Sequence, residues 1–179
     1  MKISTIIAAV VFCGTFCGTA LAQQPYAGME ARAIKALSDQ QIADLKAGRG
    51  MGLALAAELN GYPGPIHAIE LADKLGLSPD QIAELRDLFE AMKAETIPLG
   101  MQLIAEERTL DDAFAGRTIT LASLDSQTRQ IGATQARLRA AHLKYHLSAI
   151  AVLMPEQVEK YKELRGYSGG APHHQRMRH

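Results

Sequence analysis

The sequence predicts an all-α protein: a long antiparallel helical hairpin with short flanking helices. Three observations lead there. Apolar residues make up 47% of the 179-residue chain, yet aromatics are only 5% and Trp is absent. Ala, Leu and Ile carry the apolar share with few β-branched runs, which favours helix over sheet. Beyond Ser78, two long segments repeat apolar residues at steps of three and four, the period of one helix face.

Residues 1–22 read as an export signal. Lys2 is the only charge there, Ile6 to Phe16 is a short apolar run, and Ala20-Leu21-Ala22 is a small-x-small site with the cut expected before Gln23. The run is too short, and too rich in Gly and Thr, for a membrane helix of about 20 residues. Cys13 and Cys17 both fall inside it, so the mature chain is expected to be periplasmic, free of cysteine and folded by burial alone. The chain holds 19 basic and 19 acidic residues, so loss of Lys2 leaves 18 against 19, a net charge of −1. That balance gives no basic surface for nucleic acid. No later segment is apolar enough to cross a bilayer, so no transmembrane segment is expected in the mature chain.

Residues 23–65 read as a leader with short helices and Gly/Pro-rich joints, its first part, 23–35, being patternless and expected to be mobile. Leu37-Ser38-Asp39-Gln40-Gln41 opens a helix with a Ser cap and a Gln three residues on, the reciprocal capping box. Gly48-Arg49-Gly50-Met51-Gly52 looks superficially like a phosphate loop. It follows a helical pattern rather than a strand and no Lys-Ser/Thr pair closes it, so a flexible joint before a short apolar helix is the better reading. Asn60 to Pro65 breaks the chain. Pro65 then opens a helix over Ile66–Leu75, stopped by Gly76.

Leu77-Ser78-Pro79-Asp80-Gln81 repeats the capping signature and starts the first long helix. Its apolar face is Ile82, Leu85, Phe89, Met92, Leu99, Leu103 and Leu110, with Pro98 expected to kink or break it near Thr96. Gly116 to Thr120 is the turn. The second helix carries Leu121, Leu124, Thr128, Ile131, Gln135, Leu138, His142, Tyr145, Ala149 and Val152, a seam of the coiled-coil kind. The short connection makes the pair antiparallel. Leu143, Leu147 and Ile150 lie on another face, which calls for further cover, from the short helices or from a second protomer in a homodimer. Leu153-Met154-Pro155-Glu156-Gln157 starts a terminal helix without the capping hydroxyl, and residues 168–179 read as a disordered His-containing tail.

The export signal, the hairpin and the Leu-Ser/Thr-x-x-Gln-like copies at Leu77, Ser78, Gln81 and at Leu153, Pro155, Gln157 resemble the Spy/CpxP family of bacterial periplasmic proteins. That family also takes in periplasmic heavy-metal resistance and sensor proteins. The resemblance spans roughly residues 66–167 and departs from the pattern at Met154. It implies a cradle-shaped, dimer-forming helical protein that binds non-native chains, tunes an envelope-stress sensor kinase or binds metal ions, and it does not imply an enzyme.

His142 and His146 stand one helical turn apart, a spacing suited to two-point binding of Zn, Cu, Ni or Co. An antiparallel hairpin sets them opposite Phe89–Lys93, which offers Glu90 and Met92, with Glu95 a turn further; the bland alternative is a pair of seam histidines. His67 and Glu70 are a weaker candidate pair, as are His173, His174 and His179 of the tail. Glu106-Glu107 and Asp111-Asp112 are adjacent residues that point apart on a helix, so they read as a solvated face and not a catalytic dyad. No ordered nucleophile signature is present. The leading expectation is an exported stress-response protein that holds non-native clients. The alternatives are a metal sensor or buffer using a divalent transition metal, and a regulator docking on a membrane sensor kinase.

Overall fold

A computed structural model describes residues 26–167. Residues 1–22, expected to be an export signal, with Cys13 and Cys17, and residues 168–179 with His173, His174 and His179 lie outside the described residues. Within them the chain is all-α. A 3-10 turn over Met29–Ala31 leads to α1 (Asp39–Ala47), α2 (Leu55–Glu58), α3 (Pro65–Glu70), α4 (Ala72–Leu75), α5 (Pro79–Ala115), α6 (Leu121–Val152) and α7 (Pro155–Leu164).

The helix starts follow the capping chemistry. Gln41 N–H donates to Ser38 Oγ at 3.2 Å, and Ser38 N–H donates back to Gln41 Oε1 at 2.9 Å. Ser78 and Gln81 repeat this at 3.2 and 3.0 Å, and Thr120 caps α6 through Ser123 N–H at 3.1 Å. Each cap is worth about 1 kcal/mol.

Helices α5 and α6 pack as the antiparallel hairpin, and three cross-links fix the register. Gln81 Nε2 donates to the Val152 carbonyl at 2.9 Å. Tyr145 Oη donates to Glu95 Oε2 at 3.2 Å. Thr134 Oγ1 donates to Glu106 Oε1 at 3.0 Å. The two motif glutamines clasp each other as well: Gln81 Nε2 donates to Gln157 Oε1 at 2.8 Å, and Gln157 Nε2 donates to Gln81 Oε1 at 3.1 Å. With Met154 N–H on Gln157 Oε1 at 2.9 Å, the clasp caps α7 although a hydroxyl is missing. Leu77 and Leu153 pack into the core beneath it, so the motif copies tie the base of the hairpin together.

Four expectations are corrected. First, the patternless leader is anchored to the core at its end, at Ile34. Ile34 is fully buried and Leu37 and Leu45 nearly so, all packed against Leu99, Leu103, Ile104, Ile131 and Leu138. Two helices cannot cover a wide apolar stripe alone, and this segment is the third wall; each such side chain contributes about 1.5–3 kcal/mol. Second, α5 runs through Pro98 without a break. Pro98 and Ala94, whose carbonyl loses its N–H partner, both face water, while α1 and α6 grip the other side. Third, the helix expected over Ile66–Leu75 is two helices, parted at Leu71, where the backbone leaves helical geometry (φ −109°, ψ 14°). Fourth, the α6 seam drifts by one residue. Thr134 is buried and Gln135 exposed, and Leu121 at the tip is 86% exposed, because a straight helix rotates away from a strict 3.5 repeat.

Of the extra α6 face, Ile150 is covered by the second core while Leu147 stays exposed. Gly100 sets the closest helix approach: a Cβ there would lie 2.5 Å from the Leu45 carbonyl oxygen, so α1 rests directly on the α5 backbone.

Candidate functional site

The apolar interior is divided. One core joins Ile34, Leu37 and Leu45 to the middle of the hairpin, and the other joins Ala68, Leu75, Leu85, Ala149, Val158 and Tyr161 at its base. Between them, Met92 of α5 and His142 and His146 of α6 line a cleft of about 520 Å³. The Gly48–Gly52 loop and Leu55 form one wall, and Gly64–His67 with Phe89 another.

His142 is 2% exposed and its Nε2 has no hydrogen-bond partner among the described residues. Burial, and then the proximity of His146, hold its pKa below the usual 6.5, so the ring is neutral at pH 7. His146 Nδ1 donates to the Tyr62 carbonyl at 2.6 Å. A carbonyl only accepts, so that bond puts a proton on Nδ1 and turns Nε2 toward Gly64. Gly64 makes room for the ring: a Cβ there would lie 3.0 Å from His146 Cε1 and 3.2 Å from Nε2.

The expected partners divide. Met92 is present in the cleft, and His67 and Glu70 sit at its edge, paired with each other at 3.1 Å. Glu90 and Glu95 are not there. Glu90 lies two residues from Met92, on the far side of the helix, and pairs with Lys93 at 3.5 Å. Glu95 is taken by Lys144 at 2.5 Å and by the Tyr145 hydroxyl at 3.2 Å. The Lys144 bond in particular holds the Glu95 carboxyl below its ordinary pKa. Among the described residues, no group of three or more His, Cys, Asp or Glu side chains is placed to hold a metal ion.

Two buried carboxylates escape a reading by sequence alone. Glu58 ends α2 beside the cleft, only 7% exposed. Its Oε1 accepts from the Tyr161 hydroxyl and, at 3.2 Å, from the Tyr167 hydroxyl, with Arg165 Nε 3.5 Å away. Its Oε2 accepts from Gly64 N–H at 3.3 Å and lies 3.8 Å from His146 Nδ1. Burial, then the bond to Glu58, raises the Tyr161 pKa, so its hydroxyl remains a donor. The signal for Glu58 is one carboxylate inside the apolar run Leu53–Leu59, a charge that only inward partners explain. Glu106, expected on a solvated face, is 9% exposed and turned toward α6. Adjacent residues do point apart, and here one of them points in.

Opposite the His67–Glu70 pair, part of the rim is apolar and exposed. Met51 and Leu55, 41% and 54% exposed, stand at its mouth. Met51 holds a left-handed backbone (φ 44°), a conformation that a side chain of this size adopts at a cost of about 1 kcal/mol or more. No protein-family model, curated protein or solved structure matches this chain.

Proposed function

We propose that this protein is a holdase-type binder of non-native chains, acting in the periplasm, with the cleft between the two cores as its client site. The observation that carries the reading is the exposed apolar rim around a largely apolar cavity. Met51 is presented there 41% exposed, on a strained left-handed backbone. A hydrophobic segment of a client would place one or two side chains between Phe89 and Leu55, with Met51 adapting to its shape. Leu59 and Tyr62 are also exposed on the segment that follows Leu55. The resemblance to the Spy/CpxP family points the same way. Affinity stays modest because the cleft is small, and modest affinity lets clients leave to fold.

Light scattering of a chemically unfolded, aggregating client tests this. The purified protein is expected to suppress aggregation at equimolar ratio. The double variant Met51→Asn, Leu55→Asp is expected to fold normally and to weaken suppression about tenfold, the effect of about 1.4 kcal/mol. Asn suits the left-handed backbone and Asp the first turn of α2. Equal suppression by both proteins refutes the cleft as the client site.

A second reading, a metal sensor or buffer, is favoured by one observation: His142, with Nε2 unpartnered among the described residues, shares the cleft with His146 and the Met92 thioether, and His146 is oriented by a backbone carbonyl as metal-bound histidines are. Zn, Cu, Ni or Co would be held by these three side chains, with water completing the set. Calorimetric titration should then show binding that His142→Ala abolishes and that removal of residues 168–179 leaves intact. Heat lost only with the tail places metal outside the cleft.

A further inference from the structure

We propose that the hairpin holds a second site, for a hard oxygen-seeking metal cation of the Ca²⁺ class, built on Glu106. The carboxylate is nine-tenths buried, at 9% exposure, and lines a polar cavity of about 310 Å³ between α5 and α6. All its donors converge on one oxygen. Gln102 Nε2 at 2.7 Å, Gln130 Nε2 at 3.1 Å and Thr134 Oγ1 at 3.0 Å all donate to Oε1. Oε2 is buried with no partner, and Glu106 forms no ion pair among the described residues.

The rest of the lining explains what belongs there. Gln127 Oε1 is a second buried oxygen without a partner in the same cavity. The amide groups of Gln102 and Gln130 are oriented by their bonds to Oε1, each keeping its carbonyl oxygen and one N–H free. Thr109 already donates its hydroxyl proton to the Ala105 carbonyl at 2.9 Å, so it offers only lone pairs. The one charge in the lining is the carboxylate, and Glu106 Oε2 and Gln127 Oε1 are its buried oxygens without a partner among the described residues. The negative charge disfavours an anion, and a soft ion finds no thiolate, thioether or imidazole. Ca²⁺ accepts carboxylate, amide oxygen and water in a loose shell of six to eight, and the volume leaves room for waters to complete it. Mg²⁺, which demands a tight octahedron and dehydrates reluctantly, fits less well. A bound cation would draw α5 and α6 together at the middle of the hairpin. With a single carboxylate, affinity is expected in the millimolar range.

Thermal unfolding of the full chain tests the site, with Ca²⁺, Mg²⁺ or methylammonium added at millimolar concentration and with choline at matched ionic strength as the control. Ca²⁺ is expected to raise Tm by about 3 °C over the choline control. Mg²⁺ should raise it less. Glu106→Gln removes the charge but keeps the shape, so the variant should fold, with a Tm no lower than the parent's without added cation, and lose the Ca²⁺ response. Gln127→Leu should reduce that response by at least half. A Ca²⁺ shift equal to that of choline, one retained in Glu106→Gln, or a shift with methylammonium alone overturns the proposal.

Discussion

Gly100→Ala is expected to destabilise the fold by about 2 kcal/mol and to lower Tm by about 4–8 °C, although it replaces a helix-interior glycine with the best helix former. Helix propensity alone predicts a gain of about 1 kcal/mol. The opposing term is steric. The new Cβ would sit 2.5 Å from the Leu45 carbonyl oxygen and 3.0 Å from its carbon, and backbone cannot rotate out of the way as a side chain can. Moving α1 outward would open the contacts of Leu45 with Leu99 and Leu103, an overpacking cost of about 3 kcal/mol. The C-terminal end of α1 also leads into the cleft wall through Ala47 and Gly48, so client binding should fall with stability. Thermal unfolding measures the first effect. A Tm equal to or above the parent's would mean that α1 does not lie on α5 as described.

Glu58→Ala should cost more, about 3–4 kcal/mol. It leaves the buried Tyr161 hydroxyl and the Gly64 N–H without an acceptor, and an unpaired buried polar group costs about 1–3 kcal/mol. Arg165, which stacks over the Tyr161 ring at 5.7 Å, loses its counter-charge as well. Urea denaturation of Glu58→Ala, Tyr161→Phe and the double variant is the check. The two residues should show a coupling energy of about 1.5–3 kcal/mol, since once one is gone the other has little left to lose. Additive losses would show that the carboxylate and the hydroxyl act independently. Because Glu58 joins α2 to α7 and flanks His146, loss of the network should also loosen the cleft wall at Gly64.

The hairpin was legible because local chemistry and periodicity agree along it. Ser78 with Gln81 and Thr120 mark the helix starts, and Gly116 to Thr120 is too short to join anything but antiparallel neighbours. The His142–His146–Met92 grouping followed from the same reasoning, since helical spacing and an antiparallel turn together fix which residues face each other. Glu90 and Glu95 failed because sequence spacing gives an approximate level along the hairpin but not an azimuth. A shift of two or three residues turns a side chain to another face, and Lys144 captured Glu95 there. The role of residues 26–61 was hidden for a different reason. Ile34 and Leu37 make a long-range contact through a segment with no period of its own, and only the third dimension shows which stripe they cover. Glu58 and Glu106 were missed because composition treats a carboxylate as surface, whereas each is buried by partners scattered up to 109 residues away.

Site-specific photo-crosslinking to an unfolded client locates the client site, with the probe placed at position 55 in one protein and at position 126, an exposed point on α6, in another. A client held in the cleft gives adducts from position 55 and few from position 126, with the position-55 adducts lost when Met51→Asn is added. Equal labelling at both positions, or labelling only at 126, would contradict a client site between the two cores.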